Sequence, residues 1–478
     1  MRITNKIIQN NSLNNINVNK TLEDQLSTML SSNKKIVRPS DDPIIALRSL
    51  RLRTSVNQVT QYVEKNVEDA KSWLTVTEDA IKTLSEIITD VRKQYVKGTS
   101  DTLKAEDRTI ITSNLEALAA ELYNTGNADF AGRSVFTGFR TETTLTFQKQ
   151  EDIEYTITEE LKDVTVDSIK HVTLDNNDEN NVGVFDITRI RLSYDKVDEG
   201  RVPDIKINGN TIAAGDIMVI SSTADPYDAA IADANADKVV FVPETGELLL
   251  GKNLGANGPD GVTDVSVTYD RNKWAKGELR PEHYFNCVDH TNNKTYSSHG
   301  GEIEYNIGVN QSLRINTTAD ECFSHNVVRD LQDVIESIKD VDDISATITK
   351  LKEELAAVPD TDTAGKEAVQ KKLDAANKAY TFLNDKMHTL FSKCITKADE
   401  YLDKNNVALT DCGTRSKRLE LIENRLDTQL GSLKELKSEN EDADLAETAI
   451  QMKSAEYSYN ASLMATSKIL QETLLNYI

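Results

Sequence analysis

The chain has 478 residues and a net charge of −23, from 55 Lys and Arg against 78 Asp and Glu. That length accommodates roughly two to four domains, and the charge argues against a nucleic-acid partner, because phosphate binding needs a basic patch that the sequence lacks. Aromatics at 6%, with 2 Trp and 8 Pro, suit long helices better than a pocket-rich enzyme.

Taken from the start, Met1 to Lys20 contains no apolar block long enough for a secretory signal. No run of about 18 apolar residues occurs, so no membrane span is expected. The sequence by itself reads as cytoplasmic unless a dedicated apparatus exports it. Ile3, Ile7, Leu22, Leu26 and Met29 have helical spacing, but Asn-rich sequence separates them. Asn is a poor helix former, so this helix is expected to be marginal alone.

A heptad run follows. Ile45, Leu52, Val56, Val59, Val63, Val67, Ala70, Leu74, Thr77, Ile81, Leu84, Ile88, Val91 and Tyr95 alternate at spacings of three and four, with polar Ser49 at one seam position. The pattern predicts one helix of roughly 75 Å packed against partner helices. Ser40, Asp41 and Asp42 offer N-cap oxygens, Pro43 fits the first helical position, and Gly98 supplies the stop. A second helix is predicted from about Leu103 to Tyr123.

From 142 to 319 the period changes to two. Ile153 to Ile157, Ile205 to Ile207 and Val265 to Tyr269 alternate, and Asn208-Gly209 and Thr245-Gly246 are hairpin signals. Helical spacing returns in a short helix with Ile344, Ile348, Leu351 and Leu355, ending at Pro359. A longer helix carries Tyr380, Leu383, Met387, Leu390 and Cys394, then resumes at Leu419, Ile422, Leu426 and Leu430. The last segment places Leu445, Ala449, Met452, Tyr459, Leu463, Leu470 and Leu474 at heptad positions, interrupted by Glu456 and Thr466.

The expected fold is α+β: a long coiled-coil helical bundle formed by both termini, with a central β-rich inserted domain. Its segments are 1–40 (N-terminal polymerisation helix), 41–141 (first part of a helical rod), 142–319 (β-rich domain), 320–436 (second part of the rod) and 437–478 (C-terminal polymerisation helix). Both ends carry apolar stripes that one subunit cannot bury alone. The expected polymerisation interface therefore comprises Ile3, Ile7, Leu22, Leu26, Met29, Leu445, Ala449, Met452, Tyr459, Leu463, Leu470 and Leu474, the alternative on pattern alone being an intramolecular helical bundle that holds a β domain.

Little in the sequence points to catalysis. His283, Cys287, His290 and His299 are ligand types that zinc accepts. Their spacing matches no standard finger, and the expectation is no bound metal and no cofactor. The acid pairs Asp41/Asp42 and Asp342/Asp343 are read as caps at helix starts rather than acid–base dyads. Arg48, Arg51 and Arg53 are read as contact or solvated residues, and Cys287, Cys322, Cys394 and Cys412 as free thiols. No nucleophile elbow, phosphate loop or dinucleotide fingerprint is present.

The segment from Gln25 to Arg53, QLSTMLSSNKKIVRPSDDPIIALRSLRLR, resembles the N-terminal region of flagellins and flagellar hook-associated proteins, as does the opening Met1-Arg2-Ile3-Thr4. Within that superfamily the Pro39-Ser40-Asp41-Asp42-Pro43 turn, the block NTGNADFAGRSVFTG from Asn124 and the terminal Leu-Leu-x-Tyr are similar to the hook–filament junction group. The resemblance covers about the first 140 and last 60 residues, with residues 301 to 317 similar to a re-entry into the helical part. The middle lobe and residues 340–414 match weakly.

The resemblance implies a structural adaptor, not an enzyme, joining a hook-associated ring to the flagellin filament through its termini. A flagellin, the bulk filament subunit, is the alternative. The partners implied are the ring of hook-associated protein 1, flagellin, further copies of this chain, an export chaperone and the type III export apparatus. The location implied is the extracellular flagellum, reached without a cleaved signal. A filament-borne enzyme with its active site in the lobe would need the His/Cys cluster to bind metal.

Overall fold

The computed structural model describes residues 5–100, 103–161, 166–173, 182–297, 301–359 and 362–475. Helix α1 (Asn5–Ser32) precedes α2 (Pro43–Gln61), a π-helical turn (Tyr62–Val67), α3 (Glu68–Gly98) and α4 (Ala105–Asn124). A small hairpin of β1 (Asp129–Phe130) and β2 (Arg133–Ser134) leads into β3 (Tyr155–Leu161), β4 (Val166–Val172), β5 (Val184–Arg191), β6 (Asp204–Ile207), β7 (Asn210–Thr211) and β8 (Ile217–Val219). After the short α5 (Pro226–Ile231) come β9 (Val239–Val242), β10 (Glu247–Leu250), β11 (Val265–Arg271), β12 (Asn286–Asp289), β13 (Lys294–Tyr296), β14 (Glu304–Gly308) and β15 (Gln311–Arg314). Helices α6 (Ala319–Cys322), α7 (His325–Ala357), α8 (Thr363–Glu441) and α9 (Leu445–Leu475) follow. The fold is α+β, helical towards both ends with β structure between.

Three elements differ from the sequence-based expectation. The first long helix is interrupted at Tyr62–Val67 by π hydrogen bonding, a register change that heptad spacing does not reveal. The short helix expected around Ile344 is the distal part of a 33-residue helix beginning at His325. The helix expected to stop and resume is one continuous α8 of 79 residues. Its seam passes through Cys394, Ala398, Asn405, Ala408, Cys412 and Leu419, all buried. Small residues and one Asn keep the period there, so a search for large apolar side chains sees a gap.

The chain forms two compact units. The first comprises Met1–Asp69, Asn306–Ser312 and Arg418–Ile478, the second Ala70–Tyr305 and Leu313–Lys417. In the second, strands order as β4-β5-β10-β9-β8 in one sheet and β13-β12-β3-β11-β6-β7 in the other. Period-two alternation places Ile190, Leu248 and Phe241 of the five-stranded sheet against Ile157, Val267 and Ile205 of the six-stranded sheet in one core. Helix α5 covers the other face of the five-stranded sheet, with Ala230 and Tyr227 against Val240, Val242 and Leu249. The β6–β7 turn has Asn208 and Gly209 at φ 51° and 77°, as a two-residue hairpin loop requires. At Gly246, φ 64°, any side chain would also strike the Tyr194 carbonyl oxygen.

In the helical part of the same unit, the α3 seam from Ala70 to Tyr95 is buried at nearly every heptad position. Gly98 ends α3 where a Cβ would lie 2.2 Å from the Phe391 ring. Asp342 and Asp343 lie inside α7, not at a helix start, and Asp342 is the ion-pair partner of Arg108 at 2.6 Å.

Candidate assembly surface

In the first unit α1 and α9 pack side by side. Along α1 the covered positions are Gln9, Ser12, Ile16, Asn19, Glu23, Leu26 and Leu30; along α9 they are Thr448, Met452, Ala455, Tyr459, Ser462 and Thr466. Both series alternate at three and four, as in a coiled coil, but most members are polar or small. Asn19 Nδ2 donates to Ser462 Oγ at 2.7 Å, midway along the pair. Such a seam sets register at the expense of burial.

Many of the larger apolar side chains therefore face outward. Ile7, Ile8, Leu13, Val18 and Leu22 of α1 are exposed, as are Leu445, Ile450, Tyr457, Leu463 and Met464 of α9, with Tyr457 at 72%. Helix α2 adds Ile44, Leu47 and Leu50, at 74%, 54% and 59% exposure. The sequence-predicted residues divide between the two faces. Leu26 is buried in the α1–α9 seam, Met29, Met452 and Tyr459 are half-buried, and Ile7, Leu22, Leu445, Ala449 and Leu463 are exposed. Ile3 and the side chains of Leu470 and Leu474 lie outside those described. Leu13, Val18, Ile450, Tyr457 and Met464 escaped sequence reasoning because a search for one seam discards apolar residues lying off it. Their signal was the excess of apolar positions over one stripe.

The turn before α2 is held by carboxylates. Asp42 Oδ1 accepts from the amides of Ile44 at 2.9 Å and Ile45 at 3.1 Å, with Pro43 at the first helical turn. Asp41 Oδ2 accepts from the Arg38 amide at 2.8 Å, and Ser40 is exposed. The opposite end of the chain anchors here through Glu441, buried at the end of α8. Its oxygens accept from Arg53 Nε at 2.6 Å and Nη2 at 2.8 Å, and from the Ser49 hydroxyl. The Arg53 hydrogen bonds, with help from Ser49 and Lys34, hold the Glu441 carboxyl down to about 2. Polar Ser49, a flaw in an apolar seam, is thus a hydrogen-bond donor to this anchor. The main chain adds Lys35 N to Glu441 O at 2.7 Å and Ala443 N to Asn33 O at 3.1 Å.

The described members of the histidine and cysteine set singled out in the sequence, His283, Cys287 and His290, have separate surroundings. His283 is buried beside the Thr144 carbonyl at 3.3 Å, and burial together with Arg140 pushes its pKa down to about 3. Burial pushes the Cys287 thiol up to about 12. His290 Nε2 instead meets Thr156 Oγ1 at 2.8 Å, and His299 lies outside the described residues. Among the described residues no group of three or more His, Cys, Asp or Glu is placed to hold a metal ion. A pocket of about 60 Å³ beside Tyr194 and His325 is lined by Arg271 and Arg329 and, opposing them in charge, Asp195 and Glu278. All four cysteines are free and buried. Among the described residues no helix is long and apolar enough to cross a membrane.

Residues 3–141 match the family described as the bacterial flagellin N-terminal helical region. The chain is 30% identical over 115 residues to flagellar hook-associated protein 3 of Escherichia coli K12, covering 24% of this chain and 36% of that protein. It is 28% identical over 127 residues to a flagellin of Clostridium tyrobutyricum, covering 27% and 33%. Among solved structures, hook-associated protein 3 of Legionella pneumophila aligns over 81% of this chain and 98% of its own, at 11% identity and a TM-score of 0.31. The chain spans less than half the length of the curated relatives it matches. Residues 3–141 are thus similar to the bacterial flagellin N-terminal helical region, and part of the chain is similar to flagellar hook-associated protein 3.

Proposed function

We propose that this chain is a non-catalytic structural subunit of the bacterial flagellum, an adaptor at the junction where the hook-associated ring meets the flagellin filament. The observation that carries this reading is the α1–α9 pair. Most members of its internal seam are polar or small, while Ile7, Leu13, Val18, Leu22, Ile450, Tyr457 and Met464 stay exposed on a monomer. Apolar stripes of this extent mark contact surfaces. The similarity to hook-associated protein 3 supports the choice of neighbours.

In this reading the exposed members of the predicted interface, Ile7, Leu22, Leu445, Ala449 and Leu463, meet adjoining subunits. Leu26, Met452 and Tyr459 hold the two terminal helices together. The neighbours are hook-associated protein 1 below, flagellin above and further copies of this chain around the axis. Export would proceed through the type III flagellar apparatus with a chaperone, placing the protein outside the cell.

Similarity to a flagellin supports a second reading as the bulk filament subunit. Copy number in sheared flagella separates the two. The adaptor is expected as a minor component, far below the main filament protein. Dominance of this chain in the preparation would select the filament subunit instead.

A further inference from the structure

The β sandwich of the second unit meets α7 and α8 through a charged cluster, beside the ring contacts of His325 at the start of α7 with Tyr194, Tyr284 and Phe285. Arg189 and Arg191 lie two apart on β5, and Asp330 and Asp333 lie three apart on α7, so each pair shares one face of its element. Arg191 Nη2 meets Asp330 at 2.5 Å and its Nη1 meets Asp333 at 2.6 Å; Arg189 Nη2 meets Asp333 at 2.8 Å. Within the sheet, Arg189 Nη1 also pairs with Glu247 of β10 at 2.6 Å. From α8, Lys397 reaches Asp330 at 2.7 Å, Lys393 reaches Asp167 of β4 at 2.9 Å, and the Tyr401 hydroxyl donates to Asp330 at 2.7 Å.

The cluster is balanced, with cations Arg189, Arg191, Lys393 and Lys397 against carboxylates Asp167, Glu247, Asp330 and Asp333. Arg189, Arg191, Asp330 and Glu247 are buried. No residue of α7 or α8 is a member of either apolar cluster of the sandwich, and an apolar contact from α7 is that of His325 with the core residue Tyr194 and its neighbour Phe285.

Buried ion pairs add little net stability over apolar groups of similar size, because desolvation offsets attraction. Their effect on geometry is sharper. A guanidinium fork bonds a carboxylate in few orientations, and a shift of the sandwich by one helical turn would leave buried carboxylates without partners. Apolar surfaces tolerate such sliding.

We propose that this eight-residue cluster is an orientation lock. It fixes one seating of the sandwich on α7 and α8 by penalising the others, and contributes little to overall stability. The inference holds whether the chain is a junction adaptor or a filament subunit.

The test uses the full chain with Arg191→Met alone and with Arg191→Met combined with Asp330→Leu. The single variant leaves a carboxylate in excess and is expected to melt about 5–15 °C lower. The double variant removes one charge of each sign and is expected to melt within about 3 °C of the unmodified chain. Spin labels at exposed Asp204 in the sandwich and Glu367 on α8 then report the seating. A broadened or multimodal distance distribution in the double variant is the expected result. A distribution as narrow as that of the unmodified chain would overturn the lock. So would a double variant as labile as the single one, since the cluster would then be an ordinary stabilising element. If the single variant does not fold, the double variant still gives both readings.

Discussion

Arg53 and Glu441 lie 388 positions apart in sequence and are joined by two hydrogen bonds, 2.6 Å from Nε and 2.8 Å from Nη2. This pair ties the start of the helical region to its return. Glu441 is buried, whereas about half of the Arg53 side chain is exposed, so solvent screens part of the attraction. Glu441→Gln is expected to cost about 1–2 kcal/mol in urea unfolding at pH 7. The carboxyl is held below its ordinary 4.5, at about 2. Its contribution is therefore complete above pH 4.5 and disappears as pH falls towards 2. Wild type and variant should converge over that window; a constant gap between them would contradict the pairing.

Burial keeps His283 and His325 neutral, with pKa values pushed from 6.5 down to about 3. Between pH 6.5 and 3 each imidazole takes up a proton only in the unfolded chain. Stability is thus retained above 6.5 and lost as pH falls, by up to about 1.4 kcal/mol per pH unit for each histidine. Melting temperatures from pH 7 to 4 should decline, and His325→Gln should flatten the slope. An unchanged slope in that variant would show that His325 titrates normally in the folded state.

Gly98 closes α3 against the fully buried ring of Phe391. Adding a methyl group there overpacks the contact, so Gly98→Ala is expected to destabilise the chain by about 1–3 kcal/mol. Phe391→Leu in the same chain should recover part of that loss, and a double-mutant cycle measures the coupling. Strict additivity would place the two residues out of contact.

The α1–α9 pair has little apolar seam, so its helices should open before the rest. Limited proteolysis of the free protein is expected to remove residues before about 40 and after about 435 first. Equal resistance along the whole chain would contradict that weakness.

The helical and β regions were readable from period alone, because seams such as Ala70 to Tyr95 and alternations such as Val265 to Tyr269 are long and regular. The π turn at Tyr62–Val67 was not, since a one-residue phase shift leaves nearly the same spacing. Nor was the middle of α8, where Ala398, Asn405, Ala408 and Cys412 fill a seam meant for larger side chains. In α9 the predicted stripe shares Met452 and Tyr459 with the covered row but takes Ala449 and Leu463 where that row takes Thr448 and Ser462. A heptad pattern reveals that a stripe exists, but which stripe faces the intramolecular partner depends on side chains such as Asn19 and Ser462 that hydropathy ignores. The surroundings of His283, Cys287 and His290 were not legible for a related reason. Cys287 points into the sandwich core while His290 bonds Thr156 beyond the end of the strand, so proximity in sequence did not produce convergence.

The most direct test of the proposed role is immunogold electron microscopy of isolated flagella, with an antibody raised against the β sandwich. The junction adaptor predicts a single band of label where hook meets filament. Label along the entire filament, or none on flagella, would contradict it.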